Sequence, residues 1–198
     1  MNTSSTKIIH PREGLKWVKI KRFLTLPFSP KSLRTYRAVQ RFEDVPIEVL
    51  SADGIKGVLL DADGTLGPHH TRVFSESVRG HIAKMVARGL RVAIYTNAME
   101  DRFDAFEGVA IVTDVPPKPD PRGFEIAMKK YLQLGDPAAV CMIGDNYITD
   151  GGAIDAGMRF IHVRPVPGPE NLFHRIFRFV AYLFARLYSS QSFRPVRR

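Results

Sequence analysis

From about residue 55 to residue 165 the chain alternates short, wholly apolar runs with longer amphipathic stretches, the pattern of βα units that feed a parallel sheet. Strands are predicted at 57–61, 91–96, 109–113, 140–144 and 160–163, each rich in Val, Ile or aromatic residues and short enough to be buried on both faces. Helices fill the gaps. Residues 75–88 bring Val78, Ile82, Met85 and Val86 near one face and stop at Gly89, while 121–134 opens on a proline and ends before Gly135. The order is βαβαβαβαβ, with no internal repeat, which predicts one α/β domain of Rossmann-like form over residues 51–168. A basic segment, 1–50, precedes it, and an amphipathic basic helix with a tail, 169–198, follows.

The final helix is read over 171–189. At 100° per residue Asn171, Arg175, Arg178, Tyr182, Arg186 and Ser189 fall in one stripe, and apolar side chains from Leu172 to Leu187 cover most of the remainder. Such a helix fits the headgroup plane of an anionic membrane, with its arginines near lipid phosphates, or packs its aromatic face on the domain or on a second subunit. Trp17, Phe23 and Leu24 among Lys16, Lys19, Lys21 and Arg22 form a second candidate anchor. No run approaches the roughly 20 apolar residues that cross a bilayer, and the basic N-terminus breaks any continuous apolar region of a secretory signal. A cytoplasmic protein, peripheral on the inner membrane face, is therefore expected. The first 40 residues, basic with one acid, Glu13, also have the composition of an organellar presequence for a eukaryotic host.

Charge sharpens this division. The chain of 198 residues carries a formal net charge of +9, yet residues 1–50 hold ten basic and four acidic side chains, 51–164 thirteen and fifteen, and 165–198 six and one. Basic ends around a neutral-to-acidic centre suit a catalytic core whose flanks meet an anionic surface, either membrane or nucleic acid. A single cysteine, Cys141, inside an apolar run excludes an intramolecular disulfide and reads as core filler.

The candidate chemistry lies where the strands end. The first predicted strand breaks into Asp61-Ala62-Asp63-Gly64-Thr65, two carboxylates on one side of an extended chain. In an open α/β sheet the ligand crevice lies beyond the strands' carboxyl ends, so both acids face it. A calcium loop would require acids at positions 65 and 72, which are Thr65 and Arg72. The second strand delivers Thr96 and Asn97, a proline-rich turn holds Lys118, and the fourth strand ends in Gly144-Asp145 with Asp150 close behind. No His/Cys set has zinc spacing, and no glycine-rich nucleotide-cradling loop occurs.

Asp61-Ala62-Asp63-Gly64-Thr65, Thr96, Lys118-Pro119 and Gly144-Asp145 with Asp150 together resemble the four-motif signature of the haloacid dehalogenase (HAD) superfamily. The flanking Gly54-Ile55-Lys56-Gly57 and Pro165-Val166 are similar to those of the YqeG-type phosphatases, to which mitochondrial phosphatidylglycerophosphatase is related. The resemblance implies a Mg²⁺-dependent phosphomonoesterase. In it Asp61 is the nucleophile that forms an aspartyl-phosphate and Asp63 the general acid/base. Thr96, Asn97 and Lys118 bind the phosphoryl group, and Asp61, Asp63 (through its backbone carbonyl), Asp145 and Asp150 build the metal shell. A phospho-accepting receiver domain also uses carboxylates, a Thr and a Lys around Mg²⁺, but has no need of Asp63.

HAD enzymes often carry an inserted cap domain. The spans 66–74 and 97–118 leave no room for one, so the site is expected to be open and to suit a large phosphoester such as a lipid headgroup. The expected reaction is phosphatidylglycerophosphate to phosphatidylglycerol. The competing readings are a phosphatase for a protein or soluble phosphoester, and an RNA- or ribosome-associated protein with the HAD core as scaffold.

Overall fold

The computed structural model describes residues 17–97, 103 and 106–193. Six strands form one sheet: β1 (Arg37–Val39), β2 (Gly57–Leu60), β3 (Arg91–Ile94), β4 (Ala110–Ile111), β5 (Val140–Gly144) and β6 (Arg159–Val163). Every pairing is parallel and the spatial order is β1-β6-β5-β2-β3-β4. The helices are α1 (Trp17–Thr25), α2 (Ile47–Ala52), α3 (Glu76–Ala87), α4 (Pro121–Ile126), α5 (Gly152–Asp155) and α6 (Leu172–Tyr188). This is the expected Rossmann-like α/β architecture, a parallel sheet flanked by helices. Among the described residues no domain is inserted between β2 and α3.

Alternation along each strand supplies two apolar layers. Val58, Leu60, Val92, Ile94, Cys141 and Ile143 face one layer, closed by Leu50 of α2 and Val78, Ile82 and Met85 of α3. Leu59, Ala93, Met142 and Phe160 face the other, closed by Phe124 of α4, Ala153 of α5, and Ala181 and Ala185 of α6. Both faces of the sheet are covered, as a parallel sheet requires. Cys141 is core filler, its thiol pushed up to about 12 by burial.

Several local details depart from the periodicity. β1 escapes a pattern search because its three residues are too few to alternate and only half-buried. β4 is two residues long where five were expected. The helix over 121–134 is α-helical only to Ile126 and widens into a π turn at Ala127–Tyr131, which carries Leu132 into the core. The helix anticipated between Asn97 and Val109 and the anchor residue Lys16 lie outside the described residues or largely so.

The largest correction concerns the two ends. α6 does not keep its polar stripe for solvent: Arg178 and Tyr182 turn inward beside Ala181 and Ala185, and the apolar residues Leu172, Ile176, Phe179, Leu183 and Leu187 are left exposed. The helix is oily nearly all round, so the small side chains decide, because only an alanine edge lets its backbone approach the sheet layer closely. α1 splits likewise. Phe23 stacks on Phe177 of α6 at 4.4 Å, and Arg22 donates from Nε to the Tyr147 carbonyl at 3.2 Å and pairs with Asp155, while Trp17, Val18 and Leu24 stay exposed.

This orientation of α6 predicts that Ala185→Leu, which overfills the interface, lowers stability by about 1–3 kcal/mol, whereas Leu183→Gln on the outer stripe changes it by no more than about 0.5 kcal/mol. Urea denaturation of the two variants measures both.

Candidate active site

The strand order reverses beside β2. The chain proceeds from β2 to β3 and β4 on one side, then returns to place β5 and β6 on the other. The gap between the carboxyl ends of β2 and β5 is therefore the switch point of the sheet, where helices lead away in opposite directions and leave a crevice. Asp61 follows β2 and Asp145 follows β5. The main chain fixes their register, with the Asp61 N–H donating to the Ile143 carbonyl at 2.9 Å. Between them the turn at Gly64 adopts φ +83°, and a Cβ there would lie 2.6 Å from an Asp145 carboxylate oxygen. Glycine is required at that position for both conformation and space.

Asp145 and Asp150 belong to one short loop. The Asp150 N–H donates to the Asn146 carbonyl at 2.8 Å, and the Asn146 N–H donates back to Asp150 Oδ2 at 3.0 Å. That exchange aims the other oxygen of Asp150 at Lys118. The Lys118 ammonium donates to Asp150 Oδ1 at 2.5 Å and to Asp61 Oδ1 at 2.6 Å. Oxygens of Asp61, Asp145 and Asp150 lie within 4.8 Å of one another. Five of the predicted residues, Asp61, Lys118, Asp145, Asp150 and Thr96, are thus buried at the same rim. Asp63 is half-buried, accepts the His70 N–H at 2.9 Å, and stands outside the three-acid group.

Asn97, expected to meet substrate, is hydrogen-bonded to the main chain of Lys118. Its amide oxygen accepts the Lys118 N–H at 2.9 Å and its amide nitrogen donates to the Lys118 carbonyl at 3.0 Å. Both ends of the side chain thereby hold the turn that presents the lysine. Tyr95 supports the same turn, donating to the Pro116 carbonyl at 2.6 Å.

Nor is the crevice open. Asp61 is 7% exposed, and Lys118 and Asp145 are each 2% exposed. The cover is α6. Arg178 donates from Nη1 to Asp145 Oδ2 at 2.6 Å and from Nη2 to Glu170 Oε2 at 2.7 Å. Glu170 in turn lies 3.9 Å from His69 Nε2, so the histidine beside the first motif is part of this cover. The sequence reading missed Glu170 and the inward role of Arg178. Its available signal was an arginine set directly between two phenylalanines, Phe177 and Phe179.

Four acids, Asp61, Asp145, Asp150 and Glu170, surround two cations, Lys118 and Arg178. The negative excess in a buried place has the expected electrostatic effect. Burial, then the charge of Asp150, raises the Asp61 carboxyl to about 7 against the pull of Lys118. Burial raises Asp145 well above the carboxylate range, opposed by Arg178. For Lys118 burial works against the charge, but the two carboxylates outweigh it and the ammonium is held more firmly than usual. The donors are all carboxylate oxygens, hard ligands that suit Mg²⁺. Such an ion would be held by Asp61 and Asp145, with Asp150 committed to Lys118 and Asn146 behind them.

A pH dependence follows. Folded Asp61 keeps its proton to about pH 7, whereas unfolded it releases it near 3.9. Across that window the folded state binds the extra proton, so the stability of the chelator-treated protein falls as pH rises from about 4 to about 7. Urea titrations in EDTA test this, and Asp61→Asn removes that part of the slope.

No curated protein matches the chain. Among solved structures, an uncharacterized protein from Listeria monocytogenes serotype 4b is 20% identical over 60% of this chain and 85% of its own, with a TM-score of 0.45. The core domain of a candidate phosphoglycolate phosphatase from Streptococcus pneumoniae TIGR4 is 22% identical over 62% of this chain and 95% of its own, with a TM-score of 0.41. Residues 115–165, the stretch that carries Lys118, Asp145 and Asp150, match the model of the HAD-hydrolase-like family.

Proposed function

We propose that this chain is a Mg²⁺-dependent phosphatase that forms an aspartyl-phosphate and acts at a membrane surface, on phosphatidylglycerophosphate to give phosphatidylglycerol. The observation that carries the phosphatase reading is the Lys118 ammonium bridging Asp61 and Asp150 within 2.6 Å, with Asp145 alongside. An Asp61 oxygen attacks phosphorus in line, and the ester P–O bond breaks as Asp63 gives its proton to the departing oxygen. Water then attacks phosphorus, passes a proton to Asp63, and the bond to Asp61 breaks with release of inorganic phosphate. Lys118 keeps Asp61 oriented, and Thr96 at the rim donates to the phosphoryl oxygens. A bound Mg²⁺ would supply charge neutralisation for a dianionic ester entering a site where acids outnumber the two cations Lys118 and Arg178.

The membrane half rests on the outer surface of the end helices. Among the described residues, every exposed large apolar side chain except Val73 and Ile126 belongs to α1, α6 or Phe28 between them in space. Leu172, Ile176, Phe179, Leu183 and Leu187 form one stripe of α6, flanked by exposed Arg175 and Arg186. No helix among the described residues is long and apolar enough to cross a membrane. An apolar stripe edged by arginines matches a surface of acyl chains under anionic headgroups. Arg178, Tyr182, Arg22 and Phe23 are not part of that surface, because they are spent on the core.

Two outcomes are expected. Asp63→Asn lowers phosphate release by about 10²- to 10⁴-fold, and Asp61→Asn abolishes it, with circular dichroism unchanged in both. Phe179→Glu combined with Leu183→Glu abolishes flotation with anionic vesicles and lowers turnover of the lipid phosphate but not of a chromogenic aryl phosphate. A soluble ester preferred with and without vesicles would defeat the lipid assignment, and activity retained in Asp61→Asn would defeat the phosphatase.

A further inference from the structure

Among the described residues, Arg178 is the one guanidinium paired with the acid cluster. Its side chain is 11% exposed and comes from a helix outside the βα core, not from a strand end. It is forked between two carboxylates, the buried Asp145 at 2.6 Å and the partly buried Glu170 at 2.7 Å. The two contacts are not equivalent. Asp145 also belongs to the group of carboxylates spaced for a cation, while Glu170 does not. Glu170 sits two residues before the start of α6 and meets His69 on its other oxygen.

A carboxylate that carries a guanidinium on one oxygen and a divalent ion on the other holds two cations close together, an arrangement disfavoured where little water screens it. We infer that Arg178 is a positioning residue that serves as an exchangeable counter-ion: it neutralises Asp145 until a divalent cation takes that carboxylate, and then remains anchored through Glu170 alone. The inference rests on the reading of Asp61 and Asp145 as cation ligands. The fork makes the exchange possible without loss of the helix. Glu170 and the buried alanine edge of α6 still hold it when the contact to Asp145 is broken, so the core keeps its cover and only the mouth of the crevice is relieved of a charge.

Isothermal titration of the full chain with MgCl₂ alone tests the exchange, with no substrate present. Arg178→Gln, which removes the competitor, tightens Mg²⁺ binding by roughly 5- to 150-fold, the range of ordinary coupling between two ligands of one site. Arg175→Gln, the same loss of charge from the exposed flank of α6, changes affinity by about twofold or less because solvent screens it. Arg178→Lys, which keeps the charge but not the fork, falls between wild type and Arg178→Gln. Equal or weaker binding in Arg178→Gln, with wild-type binding intact, overturns the counter-ion role and leaves the proposed function standing. Equal tightening in Arg175→Gln overturns it too, since charge alone would then suffice. No binding by any of the proteins overturns both.

A second readout uses only wild type and is independent of how the variants fold. On addition of Mg²⁺, amide hydrogen exchange quickens in the middle of α6, residues 176–182, as the contact of Arg178 to Asp145 is released, while β2 and β5 exchange more slowly. Exchange in 176–182 that slows along with the core overturns the proposal.

Discussion

The Lys118 ammonium is buried with two carboxylates within 2.6 Å, and the rest of the site is arranged around that fact. Burying an ammonium alone costs several kcal/mol, and burying Asp61 or Asp150 alone costs as much. Together they form a charge-assisted network that tolerates burial only because every partner is held. Asn97 and Tyr95 fix the turn that carries the lysine, and Asn146 fixes Asp150. The β2–β5 pairing fixes Asp61. A slip of one residue in any of these would leave a charge uncompensated in the middle of a protein. The local fold is therefore over-determined at the point where the chemistry is placed, and the neighbouring sheet serves chiefly to hold its strand ends in register.

The same network explains why the central acids were legible from residue order. Each lies directly after a wholly apolar run, and such a run in an α/β pattern can hardly be anything but a buried strand whose end opens on the crevice. Asp61, Thr96 and Asp145 are located by that rule. Lys118 is located by prolines that leave its turn few conformations. The bonds from Asn97 to the Lys118 main chain were not legible, because an amide at a strand end can face a ligand or its own chain, and the spacing to Lys118 appears only in three dimensions. β1 stayed invisible because three half-buried residues carry no period.

The ends of the chain were harder to read for a different reason. Helical periodicity tells which side chains share an angle, not which angle meets the core. On α6 nearly every angle is apolar, so hydrophobicity has little power to choose. Ala181 and Ala185 choose instead, by permitting close approach, and they take Arg178 and Tyr182 inward with them. The basic character of the two ends is thus divided: Arg22 and Arg178 compensate loops of the core, while Arg175 and Arg186 remain at the surface. Counting charge by segment did not distinguish the two uses. Nor did the lack of an inserted domain mean an uncovered crevice, since a helix at the end of the chain occupies that place.

The position of Arg178 in the order of the chain matters during synthesis. Domains form as the ribosome delivers them, from the N-terminus onward. Lys118 emerges before Asp145 and Asp150, so the inner lysine is in place when the last acids arrive. Arg178 emerges only after β6, once the sheet is complete. A nascent chain therefore passes through a stage in which the strands are assembled and the acid cluster lacks its outer arginine. At that stage the newborn core depends on protons or dissolved cations from its surroundings to offset the charge that α6 later covers.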